Sequence, residues 1–135
     1  MVKVDAFTLA PSMLVIEGHQ PIEKWEEAGR VIFGLQRSVY WWIGDFLKYG
    51  EAKFGDDIYQ AIDDNVSLYL LNRCAAVSRE FAPDERNMNL SWTHHQALCG
   101  LKKPMQRALL VQAEENHWDS RQMREHIARM KGMMP

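Results

Sequence analysis

The chain has 135 residues, 47% of them hydrophobic and 25% charged, with a net charge of −2. That length fits one domain with a real core and no need of staples. The balance excludes a chain disordered throughout and an indiscriminate polyanion binder. No apolar run approaches the ~18 residues of a membrane span, so no membrane partner is expected. Residues 1–10 carry Lys3 and Asp5 with no long apolar stretch, so no signal peptide is read and a cytoplasmic protein is expected. Cys74 and Cys99 lack a Cys partner at metal spacing and read as buried thiols of a reducing compartment. The charge is uneven: residues 101–135 hold seven Lys/Arg against four Asp/Glu.

Residues 1–20 read as an N-terminal arm or a short strand, with Met13, Leu14, Val15 and Ile16 as its apolar run. From Pro21 to residue 55 the pattern is one long Trp-rich helix. Pro21 suits a first turn, and Glu23, Glu26 and Glu27 suit its positive end. The apolar positions Trp25, Ala28, Ile32, Leu35, Val39, Trp42, Phe46 and Tyr49 follow spacings of 3, 4, 3, 4, 3, 4 and 3. This is a heptad-like seam. It fits either a central core helix or a homodimer interface, and the expected interface residues are Trp25, Ile32, Leu35, Val39, Trp42 and Phe46. Gly29, Gly34 and Gly44 each cost about 1 kcal/mol in a helix interior and mark a bend or a close contact.

Gly50 and Gly55 close that helix. A short helix over residues 56–63, a turn at Asn65 and a helix over 67–81 with Ser67 as its cap then read as a helix-turn-helix. Ala61 is the small residue where two such helices touch, and Asn65 tolerates a left-handed turn. Val66, Leu71, Cys74 and Val77 are the expected inner face. The outer face would present Ser67, Tyr69, Asn72, Arg73, Ala76 and Arg79, and Asn and Arg suit base edges. Residues 82–89 read as a loop. Ser91 caps a helix over 92–99, and a further helix runs from Lys102-Lys103-Pro104 to about Asn116. Asp119 or Ser120 caps a last one to about Lys131.

Residues 56–131 resemble the helix-turn-helix region of ParB-type plasmid-partition proteins. Asn89-Leu90-Ser91-Trp92-Thr93-His94-His95-Gln96-Ala97-Leu98 is similar to that family's Leu-Ser-x-x-His-x-x-x-Leu opening. Glu114-Glu115-Asn116-His117-Trp118-Asp119-Ser120-Arg121-Gln122-Met123-Arg124 resembles its turn into a last helix. The resemblance implies an all-α multi-helix bundle that binds double-stranded DNA. It does not extend to the family's nucleotide-binding domain, for which residues 1–55 are too short and too helical. The Trp-Trp-Ile-Gly-Asp segment at residues 41–45 is similar to small phage- and mobile-element-encoded proteins.

No Gly-rich phosphate loop, Gly-x-Ser-x-Gly or Cys-His nucleophile pattern is present, and Glu114-x-x-His117 lacks the second pair of a di-iron site. Neither enzyme activity nor a metal or other cofactor is expected. The expected function is a non-enzymatic DNA-binding regulator or accessory factor of a phage or mobile element. In that reading residues 67–81 enter the major groove, and Lys102, Lys103, Arg107, Arg121 and Arg124 hold the backbone. The alternative is a protein-binding module, such as an inhibitor of a host enzyme or defence complex. Its acidic patch at Asp56, Asp57, Asp63 and Asp64 would mimic nucleic acid.

Overall fold

A computed structural model describes residues 2–62 and 65–133. The chain is mostly helical, yet the all-α expectation needs correcting. Residues 2–16 form an antiparallel meander, β1 (Val2–Val4), β2 (Phe7–Ala10) and β3 (Met13–Ile16). Val4 pairs with Phe7 and Ala10 with Met13, so each hairpin turns in two residues, Asp5-Ala6 and Pro11-Ser12. Asp5 takes the left-handed conformation at φ 51°, which a short polar side chain tolerates. Strands of three or four residues are too short to show a period of two, so only the β3 run was visible as an extended segment.

Helix α1 (Ile22–Phe54) begins one residue after Pro21, as its pattern predicts. The chain divides into two compact units, one up to Val39 and one from Tyr40 onward, and the boundary falls inside α1. In the first unit the central strand contributes buried Phe7 and the helix contributes buried Ala28. Lys24 of the helix reaches Asp5 of the first hairpin turn at 3.3 Å.

The second unit continues with a 3-10 turn (Asp56–Ala61), α2 (Leu68–Glu80), a second 3-10 turn (Pro83–Glu85), α3 (Trp92–Leu98), α4 (Lys103–Glu115) and α5 (Ser120–Gly132). One core gathers Cys74, Val77 and Phe81 of the α2 segment, Trp92 and Leu98 of α3, Leu109, Leu110 and Ala113 of α4, and Met123 and Ile127 of α5. A second cluster joins Leu47 of α1 to Leu71 and Ala75 of α2. Gly44 sits at that crossing. A Cβ built there would lie 2.1 Å from Ser78 Oγ and 2.3 Å from the Cys74 carbonyl oxygen, so only glycine allows the two helices so close.

The heptad-like seam is largely not absorbed by this core. Ala28 is buried and Ile32 and Leu35 are half-buried, but Trp25, Val39, Trp42, Phe46 and Tyr49 are exposed. The core instead takes the neighbouring stripe at Ile43 and Leu47.

Candidate nucleic-acid interface

The motif expected at residues 56–81 is only half formed. Its second helix is present as α2, capped by Ser67, whose hydroxyl accepts from the Leu70 amide at 3.3 Å. Leu71, Cys74 and Val77 are buried as expected. Its first helix is a 3-10 turn with no buried side chain, and both Ala61 and Val66 are exposed. This 3-10 segment sets Ile58, Tyr59 and the following Ile62 against the cluster of Leu71 and Ala75, but it leaves the expected touching residue, Ala61, exposed. Asp63 and Asp64 of the acidic cluster lie outside the described residues.

The polar face of α2 is partly engaged within the chain. Arg79 makes both contacts from Nη2 to the Glu51 carboxylate, each 2.7 Å, and Tyr59 donates to the same carboxylate. These partners hold the Glu51 carboxyl below its usual range. The Arg73 guanidinium lies 3.1 Å from the Gln96 side-chain amide, whose oxygen, turned toward it, accepts from Nε and Nη2. Tyr69 and Asn72 remain exposed. Lys103 donates to the Glu80 carbonyl, lies 3.2 Å from Glu85 and sits 4.9 Å from the Phe81 ring centroid. Of the expected DNA contacts, then, Arg73, Arg79, Lys103 and Arg121 have intramolecular partners, Arg121 in an exposed pair, while Lys102, Arg107 and Arg124 stand exposed.

A second helix-turn-helix, not singled out from the sequence, lies further along. α4 ends at Glu115 and α5 begins at Ser120, leaving a four-residue turn. His117 occupies the left-handed conformation at φ 54°. The Trp118 amide donates back to the Ala113 carbonyl at 2.9 Å, and the His117 amide donates to the Glu114 carbonyl at 3.4 Å. This is a Schellman closure, with His117 where glycine is usual. Asp119 then caps α5: its carboxylate accepts from the Gln122 amide at 2.7 Å, and Gln122 Oε1 accepts from the Asp119 amide at 2.9 Å. Ala113 of α4 is fully buried in the shared core, and Met123 and Ile127 form the inner face of α5.

α3 packs against both helices of this pair and fixes the turn. His94 Nε2 lies 2.7 Å from the Trp118 carbonyl, so Nε2 carries the proton and donates. Its Nδ1 is then the acceptor for the Ser91 amide at 3.1 Å and the Ser91 hydroxyl at 2.7 Å. His95 is buried. Its Nδ1 donates to the Ser91 carbonyl at 2.8 Å, and its Nε2 accepts from the Asn87 amide at 3.0 Å. Burial lowers the His95 pKa below its ordinary value. Both rings are structural: His94 ties α3 to the turn at Trp118, and His95 ties it to the Asn87 amide. Cys99 is half-buried, and burial pushes its thiol up to about 12, which makes it a poor nucleophile.

The outward face of α5 presents Arg121, Gln122, Arg124, Ala128, Arg129 and Lys131, with Glu125 its one acid. Glu125 meets Arg121 at 3.0 Å in an exposed pair. The signal was available in the sequence: the small residue at Ala113, the stop at Asn116-His117, the Asp119/Gln122 cap and the apolar Met123 recur at helix-turn-helix spacing.

Among the described residues no helix is long and apolar enough to cross a membrane. No protein-family model matches the chain, and no solved structure matches it. The chain is similar to a protein of Streptomyces niveus named transcriptional regulator NovE, with 34% identity over 98 residues. That stretch is 72% of this chain and 41% of NovE, so the chain spans about two fifths of the length of that relative.

Proposed function

We propose that this chain is a DNA-binding transcription regulator that places α5 in the major groove and works as a homodimer. The observation that carries the reading is the α4–turn–α5 unit: a closed four-residue turn, an inner face that is buried, and an outer face with Arg121, Arg124, Arg129 and Lys131 against one acid, Glu125. The identity shared with a protein named as a transcriptional regulator supports the regulatory part. Arg121, Gln122 and Arg124 stand in the first turns of α5, the part of such a helix that meets base edges. Lys102 and Arg107 on the segment before it supply phosphate contacts. The ParB-type resemblance of residues 56–131 belongs to this proposal. So does subunit pairing through the exposed later part of the seam, at Val39, Trp42 and Phe46.

The test is selection of a preferred site from a random duplex library, followed by titration at several salt concentrations. Arg121→Ala with Arg124→Ala lowers affinity at least 10-fold and reduces the salt slope by about 2. Tyr69→Ala with Asn72→Ala leaves affinity within about 3-fold. If the α2 pair abolishes binding and the α5 pair does not, the reading helix is α2. If no duplex is selected and one stoichiometric protein is recovered on the exposed aromatic face, the protein-binding module is the right class.

A further inference from the structure

The first unit holds a groove of about 640 Å³ between its sheet and the N-terminal half of α1. That volume is within the range of small-molecule sites. Its lining is mostly apolar: Phe7 and Leu14 from the sheet, and Trp25, Ala28, Ile32 and Phe33 from the helix. Two features of it have no explanation in the packing of this chain. Gly29 and Gly34 lie on the groove inside a regular helix, and no atom lies within 4 Å of the position a Cβ would take at either. Neither has a positive φ, so neither glycine is required by backbone shape or by a close neighbour. What both do is leave the groove open. Trp25 and Phe33 are 63% and 64% exposed at its sides, large rings held in water with nothing over them.

The charges select the occupant. Arg30 and Arg37 line the groove two helical turns apart, and neither has a hydrogen bond or ion pair among the described residues. Glu26 also lines it, one turn before Arg30. The groove is therefore acidic at the Trp25 end and basic at the Arg37 end. We propose that it binds a small planar aromatic acid, its ring system between Trp25, Phe33 and the glycine floor and its anionic group toward Arg37. The argument is charge complementarity at an apolar site of matching size, with two glycines keeping the floor clear. It is independent of which helix reads DNA.

The probe is 1-anilinonaphthalene-8-sulfonate, an aromatic anion, titrated into the full chain labelled with 5-fluorotryptophan. The Trp25 resonance, identified by its loss in Trp25→Phe, shifts saturably, and one probe binds per chain at that site. Gly29→Leu with Gly34→Leu fills the floor and weakens that site at least 10-fold. The helix gains propensity from both changes, so the fold is kept and its melting temperature is unchanged or higher. Arg37→Gln weakens the site several-fold and removes most of its salt dependence. The proposal is overturned if Trp25 does not shift, or if the filled variant binds the probe at Trp25 as the parent does. It is also overturned if the parent is a dimer that the filled variant splits, because the groove would then belong to a second copy of the chain.

Discussion

Two histidines show how much single side chains decide in the α3–α5 region. His117 pays a left-handed conformation so that the chain can leave α4 and re-enter α5 within four residues. Glycine adopts that conformation without strain, though it loses more freedom on folding. The difference favours His117→Gly by about 0.5 kcal/mol, seen as a rise in melting temperature with no loss of DNA affinity. His95 carries the opposite kind of constraint. It is buried, T-shaped against Trp41 and Phe81 at about 5 Å, and neutral because Nε2 must accept from Asn87. Its pKa is lowered by desolvation, so between the native and the ordinary value of 6.5 the unfolded chain binds the proton and the native chain does not. Stability is therefore full above about pH 6.5 and falls as pH drops below it, with a slope of at most about 1.4 kcal/mol per pH unit from this group. Urea unfolding at pH 8, 6.5 and 5 measures it, and the slope from this group disappears in His95→Gln. A native state as stable at pH 5 as at pH 8 would rule out His95 as a group held neutral by the fold.

At the scale of elements, the contact of α1 with α2 depends on Gly44. Alanine there meets both a hydroxyl and a backbone carbonyl at under 2.5 Å, and the carbonyl cannot rotate away. Gly44→Ala is expected to destabilise the chain by about 3 kcal/mol, against a gain near 1 kcal/mol at a helix glycine with room around it. Gly29→Ala, with nothing within 4 Å, is the matched control and stabilises the chain. Thermal unfolding of the two variants gives shifts of opposite sign. The sequence presents these glycines as equivalent, because propensity is local and the atoms that fill the space are thirty or more residues away. The same limit explains what was and was not legible. Helix ends were, since Ser67, Ser91 and Asp119 act on amides three residues on, and Pro21 directly precedes the first residue of α1. The meander was not, because its strands are fixed by two-residue turns and cross-strand pairing rather than by periodicity. The helix-turn-helix pattern at residues 56–81 meets its local demands in the sequence, yet Ala61 and Val66 stand exposed. The partners of Arg73 and Arg79, which bear on their freedom to meet DNA, sit 23 and 28 residues away in the chain.

At the scale of the whole molecule, the unresolved question in the sequence was what covers the α1 seam. In the second unit Trp42, Phe46, Tyr49 and Phe54 are 53%, 68%, 62% and 71% exposed. Four aromatics at that exposure leave on the order of 500 Å² of ring surface in water, more than half of the ~800 Å² that one partner gives to an ordinary stable interface. A seam with heptad spacing is self-complementary, which suits a two-fold dimer, and two copies would carry two α5 helices to two half-sites. The proposed dimer therefore predicts that Trp42→Glu with Phe46→Glu yields a folded monomer. Folding survives because neither side chain belongs to the buried core clusters. Light scattering reads the mass, and circular dichroism reads the helix content, which should be unchanged. On the selected duplex the monomer loses roughly 100-fold in affinity, since the second half-site no longer binds intramolecularly, whereas a duplex with one half-site binds parent and variant alike. A variant that stays dimeric would move the interface off this face, and a parent that is already monomeric at the concentrations that saturate DNA would remove the dimer from the mechanism.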